Sequence, residues 1–111
     1  MNEREARSEA EARRQQARDK LAAAIIEAGL PAPEVDYMFN RGVKVPYDLA
    51  WPDRSLGVEI VTDGLLYDIK RMQGYEIWRV LQFPLILVEG RIETCLRYIR
   101  AKLLPGNGQG S

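Results

Sequence analysis

Histidine is absent from the 111 residues, so imidazole acid–base chemistry, Ser-His-Asp triads and histidine metal sites are excluded. Cysteine occurs once, as Cys95, which leaves no internal disulfide framework and fits a reducing cytoplasm. Net charge is missing too, because 16 Lys and Arg residues balance 16 Asp and Glu residues. The overall basicity common in nucleic-acid-binding modules is therefore lacking. No apolar run approaches the ~20 residues of a membrane span, and the charged N-terminus lacks the apolar segment of a secretory signal. What is present is a chain 46% hydrophobic and 29% charged, sufficient for one domain with a modest core.

Residues 2 to 28 contain neither Pro nor Gly and are rich in strong helix formers. That predicts a long N-terminal helix capped at Gly29. Glu3/Arg7 and Glu9/Arg13 are spaced for i,i+4 support. Apolar weight is uneven along this helix. Before Leu21 the apolar side chains are alanines, Ala6, Ala10, Ala12 and Ala17, whereas Leu21, Ala24, Ile25 and Ala28 form a stripe. The expectation is that the turns near 20 to 28 dock on a sheet while the first half projects into solvent. The alternative is a coiled-coil arm, weak because its seam is alanine, that joins a second copy or another protein. The chain divides into this helix (1–29), an α+β domain (30–104) and a flexible Gly-rich tail (105–111).

Leu30-Pro31-Ala32-Pro33 breaks the helix, and a period of two takes over. Glu34 to Asn40 alternates Val35, Tyr37 and Phe39 with polar or smaller neighbours, and Asn40-Arg41-Gly42 is a tight turn. Val43 to Ala50 and Leu56 to Thr62 alternate again on either side of Trp51-Pro52-Asp53-Arg54. These runs predict a three-stranded antiparallel meander. With the turn at 51 to 54, Ala50 pairs with Ser55 and Asp48 with Gly57, so that side chains 48, 57 and 59 share a face. A slip of one residue would part the two carboxylates. Acids are depleted in strands, yet Asp48 and Glu59 each sit mid-strand among apolar neighbours.

Leu65 to Gln73 reads as a short helix closed by Gly74, and Tyr75 to Leu81 as a fourth strand. A crossover helix between strands three and four makes them parallel. Phe83 to Val88 is a short apolar run, either strand continued past a proline kink or a buried loop. Arg91 to Leu104 reads as a last helix with Ile92, Leu96, Ile99 and Leu103 on its apolar face. The expected fold class is α+β, with a mixed four-stranded sheet (three strands antiparallel, one parallel) between a long first helix and a C-terminal helix. Trp51 should cover one end of the core, and Cys95 should act as a small buried hydrophobe.

The segments AGLPAPEVDYMF, YDLAWP, LGVEIVTDG and GYEIWRVLQF resemble the small very-short-patch-repair-like branch of the PD-(D/E)XK nuclease superfamily, over roughly residues 28 to 104. The resemblance implies a restriction-endonuclease-like fold and metal-dependent hydrolysis of DNA phosphodiesters, in a repair, mobile-element or defence setting. It matches Asp48 to the first carboxylate, Glu59 to the second and Asp63 to an additional acid of that branch. Together these three would hold magnesium through oxygen ligands, and the metal would activate a bound water and stabilise charge on the phosphate. Three features depart from the pattern. The lysine expected two residues after the Glu falls on Val61, the branch's histidine after Asp-Gly is absent, and the crossover is short. Lys70 would be the substitute catalytic cation. Lys44 lies four strand residues from Asp48, roughly 13 Å, too far for that role.

Charge is unevenly spread although it sums to zero. Acids prevail from Leu30 to Leu66 and bases from Tyr67 to Leu104, an acidic centre beside a basic half. Arg91, Arg97, Arg100 and Lys102 on the last helix are the candidate phosphate contacts of a DNA-binding face. The bland alternative places Asp48 and Glu59 on a solvated sheet face and Asp63 in an ordinary turn. The chain would then be an inactive nuclease-fold module that binds protein or DNA.

Overall fold

The long first helix, α1 (Glu3–Glu27), ends where the sequence places a glycine. Gly29 takes a φ of +82°, and its N–H and that of Leu30 return to the carbonyls of Ile26 and Ile25 at 3.0 and 3.2 Å. This closure satisfies the orphan carbonyls of the last turn and carries Leu30 into the core. The structure, a computed structural model, describes residues 3–40, 44–62 and 79–104. The expected helix at 65–73, the start of the expected fourth strand (75–78), the turn at 41–42 and the tail from 105 lie outside the described residues, as do Asp63 and Lys70.

Four strands form one sheet in the order β1-β2-β3-β4: β1 (Glu34–Asn40), β2 (Lys44–Trp51), β3 (Leu56–Val61) and β4 (Arg79–Pro84). The first three are antiparallel neighbours and β4 lies parallel to β3. The mixed α+β architecture read from the sequence is therefore the one observed. As described, β4 runs past the expected end at Leu81 and continues through Phe83. Pro84 ends it, with φ −60° and ψ 144°. Beyond that proline the chain is neither continued strand nor loop but a short helix, α2 (Leu85–Gly90). Proline has no N–H to offer a ladder, and its fixed φ suits the residue before a helix. Leu85 and Val88, three apart on α2, both turn into the core. The last helix, α3 (Ile92–Leu103), buries Cys95, Leu96, Ile99 and Leu103.

One apolar layer lies between the sheet and the helices. Leu21 and Ile25 of α1 join Leu49 and Trp51 of β2, Leu56, Val58 and Ile60 of β3, Phe83 of β4 and Ile99 and Leu103 of α3. Trp51 closes one end, as expected, with its indole N–H donating to the Pro31 carbonyl at 2.9 Å. Two arginines finish the C-terminus of α3. Arg54 donates to the Leu103 carbonyl at 2.9 Å and Arg79 to that of Lys102 at 3.3 Å, positive groups at the negative end of a helix.

Two expectations need correction. The register of the β2–β3 hairpin is Ala50 with Gly57 and Trp51 with Leu56, not Ala50 with Ser55. Trp51 belongs to the strand, and the connection is a 3₁₀ turn at Pro52–Arg54 followed by Ser55 in the left-handed region at φ 51°. The whole loop thus moves one residue along and the pairing moves two, which preserves parity. The first half of α1 does not project freely either. Ala17 is buried, and Arg13, Arg14, Arg18 and Lys20 all bond to groups of the sheet or of α2.

Candidate functional site

Pairing between β2 and β3 is recorded from Leu49 to Trp51. Continued by one step, that register sets Asp48 opposite Glu59. Asp48 and Glu59 are both 4% exposed, so the solvated-face reading of this pair does not hold. The local geometry explains how an acid comes to lie there. Asp48 Oδ2 accepts the Ile60 N–H at 2.7 Å, so a side-chain oxygen takes a backbone donor where the ladder stops. The Asp48 carboxylate is thereby placed within about 5 Å of the Glu59 Cα, one peptide away from that N–H.

Strict alternation fails at the same point. Leu49 packs in the main core with Val58, while the Tyr47 ring lies over Gly57, where an added Cβ would stand 2.9 Å from Tyr47 Cγ. Residues two apart on a regular strand share a face, so β2 switches faces at Asp48. Its neighbour on β1 is irregular too. Asp36 has a φ of +55°, and the β1–β2 pairing passes from Val35↔Leu49 to Tyr37↔Tyr47 without it. At this break the Asp48 carboxylate turns toward α1, where Arg14 meets it, while Val58 and Ile60 on either side of Glu59 lie in the core, so the shared pleat expected from the sequence does not set the two carboxylates together.

The partner of Asp48 comes from α1. Arg14 donates through its guanidinium to Asp48 Oδ1 and on its outer side to both oxygens of Glu11. Next to it, Arg18 forks onto both oxygens of Asp36 at 2.9 Å. On the other flank of α1, Arg13 pairs with Glu89 at 2.5 Å and Lys20 donates to the Glu89 carbonyl at 3.1 Å. The line Ala17, Leu21, Ile25 thus enters the core between two basic rows. Burial pushes the Asp48 carboxyl above the ordinary carboxylate range, against the opposing pull of the Ile60 N–H and Arg14. Hydrogen bonds from Arg14 and Arg13 hold Glu11 and Glu89, respectively, below it.

Opposite Glu59 on the other side is Gln82, its register partner on β4. The Gln82 amide Nε2 is buried without a hydrogen-bond partner among the described residues. Arg14 and Gln82 were not among the residues singled out from the sequence. Nothing local marks Arg14 among the many charges of its helix, whereas Gln82 sits in a strand two residues before a proline and carried a weak signal. Val61, where the resemblance expects lysine, is a buried apolar side chain.

The basic set is placed elsewhere. Arg91, Arg97, Arg100 and Lys102 are exposed. Arg97 and Arg100 line a cleft of about 330 Å³ with Glu27, Glu93, Ala24, Ala28 and Leu96, so two acids face the two bases. Ala24 is ten residues along α1 from Arg14, roughly 15 Å. The cleft lined by Arg97 and Arg100 therefore lies away from Asp48. Cys95 is fully buried and its thiol is pushed up to about 11 by desolvation, so it is an inert core residue. Among the described residues no group of three or more Asp, Glu, Cys or His side chains is disposed to hold a metal ion, and no helix is long and apolar enough to cross a membrane. Comparison with protein-family models, with curated proteins and with solved structures gives no match to this chain.

Proposed function

We propose that the chain is a nuclease-like domain that hydrolyses DNA phosphodiesters with a divalent cation, magnesium by preference, and that Asp48 and Glu59 are its carboxylate ligands. The observation that carries this reading is the burial of both acids beside a break in the strand ladder. A buried carboxylate costs several kcal/mol unless a positive partner and hydrogen bonds offset it, and an acid pair with no task in this position would be replaced readily by apolar residues. The donor set suits a hard cation that takes one or two carboxylates and keeps several waters. When bound, such an ion supplies a water of lowered pKa and charge for the phosphate under attack.

The chain's own residues do the rest. Asp48 is fixed by the Ile60 N–H and keeps lone pairs on both oxygens. Glu59 is held by its strand in the sheet, and the Gln82 amide offers a donor for a water or a phosphate oxygen. Asp63 and Lys70 complete the proposal from the sequence alone, and Arg91, Arg97, Arg100 and Lys102 supply phosphate contacts remote from the reacting centre. One observation favours a second reading. Arg14 already matches the charge of Asp48, as expected of an inactive module that uses the fold to bind protein or DNA.

Incubation of a labelled DNA duplex with the protein and magnesium or manganese separates the two. Slow, cation-dependent cleavage that disappears in Glu59→Gln supports the nuclease. Absence of cleavage together with absence of cation binding by calorimetry leaves the interaction module. Binding to DNA, if the α3 cations carry it, should weaken steeply with salt and little with sequence.

A further inference from the structure

The two flanks of α3 differ in how their charge is met. On the flank toward α1, Arg97 and Arg100 share a cleft with Glu27 and Glu93, so bases are answered by acids. The flank toward β4 carries Tyr98 and Lys102, one turn apart and therefore neighbours on the helix surface. Tyr98 is 54% exposed. Its ring leans on buried Phe83, with centroids 6.4 Å apart and planes at 45°, a contact that steadies one side and leaves much of the ring open. Arg54 donates to the Leu103 carbonyl and Arg79 to that of Lys102, which gathers two more exposed cations at the end of α3. Among the described residues Arg54, Arg79 and Lys102 have no carboxylate partner, and Asp53, beside Arg54 in sequence, pairs with none of them. The helix end sets about half a negative charge against these three cations. The surface is basic although the chain as a whole is neutral.

We propose that this flank binds a single strand of DNA, with one unpaired base stacked on the Tyr98 ring and Lys102, Arg79 and Arg54 meeting neighbouring phosphates. An open aromatic ring among uncompensated cations matches what such a strand presents. Stacking accepts any base, and the cations follow the backbone. A guanidinium has five N–H donors, and Arg54 and Arg79 use only one and two of them on carbonyls. A duplex offers the same phosphates but keeps its bases stacked inside, so the ring selects the single strand. The surface stands apart from the buried acids. Arg79 is level with Leu56 on β3, four residues and roughly 13 Å from Ile60, whose N–H holds Asp48. The choice of DNA rests on the reading given above, but binding here needs neither a metal ion nor cleavage.

The test is fluorescence anisotropy of a short labelled oligothymidylate with the full chain, at low salt and without divalent cations. The unaltered protein should bind it, and should bind a duplex of equal length more weakly. Tyr98→Ala should weaken single-strand binding about tenfold, the scale of one lost stacked base, and leave the duplex unaffected. Tyr98→Phe, which keeps the ring, should bind as the parent does. Lys102→Gln should weaken binding and lower the slope of log affinity against log salt by about 0.7, as for one phosphate contact on a single strand. Arg13→Gln removes the same charge from α1 and should change neither quantity. Failure of the unaltered chain to bind the oligonucleotide would overturn the proposal. So would an affinity that Tyr98→Ala leaves intact, or a loss in Arg13→Gln equal to that in Lys102→Gln, which would reduce the attraction to general charge. With no metal present, none of these results bears on the nuclease reading, which its own cleavage assay decides.

Discussion

The two halves of α1 are one continuous helix fastened by different forces. From Ala17 to Glu27 the helix buries Ala17, Leu21 and Ile25 in the apolar layer, at 3%, 0% and 0% exposure. From Glu3 to Gln16 it is fastened through arginines to carboxylates of the sheet and α2. Apolar burial is non-directional and insensitive to salt, whereas ion pairs weaken as salt screens them or as a competitor arrives. A single helix can therefore be permanent at one end and conditional at the other.

The largest effect should come from damage to the permanent end. Leu21→Ala removes a fully buried side chain and should cost about 3 kcal/mol, in the range for leucine truncations in cores, as read by urea unfolding. A loss under about 1 kcal/mol would show that this half packs loosely and would erase the contrast.

Next in size is Arg14→Ala. It leaves a buried carboxylate without its countercharge, and Arg14 itself is 25% exposed. The cost should be about 2 kcal/mol, below the ~3–5 kcal/mol of breaking a wholly buried pair. Hydrogen exchange should localise the loss to residues before Ala17. Equal loosening on both sides of Ala17 would mean that the helix responds as a unit.

Asp48→Asn should have a smaller effect of the opposite sign at neutral pH. The folded carboxyl has a raised pKa, so its charged form is disfavoured by folding. That penalty is fully present above the folded pKa and vanishes as pH falls below the unfolded value, near 3.9. Asparagine keeps an oxygen for the Ile60 N–H and carries no charge. Its melting temperature should match or exceed that of the parent at pH 7, and the gap should close as the pH is lowered toward 4. A parent more stable than the variant at pH 7, by a margin that shrinks on acidification, would show that Arg14 outweighs burial.

Smallest of all is Arg13→Ala. Its pair with Glu89 lies at the surface, the Arg13 side chain 57% exposed, where ion pairs contribute little. Thermal unfolding should not resolve the variant from the parent. A clear loss would place Glu89 among the anchors of this half and make it depend on α2 as well as on Asp48.

Much of this arrangement was legible in the residues. Alternation marked three of the strands and the first half of β4 as described, and the crossover rule gave β4 its parallel direction. Asp48 and Glu59 stood out because acids are rare inside strands. The hairpin register was missed by two residues because Trp51, beside Pro52, resembles a turn residue, while its side chain actually fills the core. The helix after Pro84 was missed because FPLILV has too few residues to distinguish a buried strand from a helix by period. Arg14 could not be found at all. In a segment where arginines and glutamates occupy every side of the helix, periodicity does not say which cation meets the sheet, and Ala17, the residue that orients the face, is too small to draw notice.

Asp36 has a consequence for how the molecule coexists with its own copies. Among the described residues β1 is the outer strand of the sheet, and an uninterrupted outer strand is a template onto which another chain can add its own. The positive φ at Asp36 turns the backbone out of extended geometry midway along β1, and Arg18 clamps its carboxylate from inside the same molecule. A strand from a neighbour could pair with a few residues on one side of that point and then lose register. At the price of one strained residue, the edge that the fold leaves open is kept from propagating into aggregates.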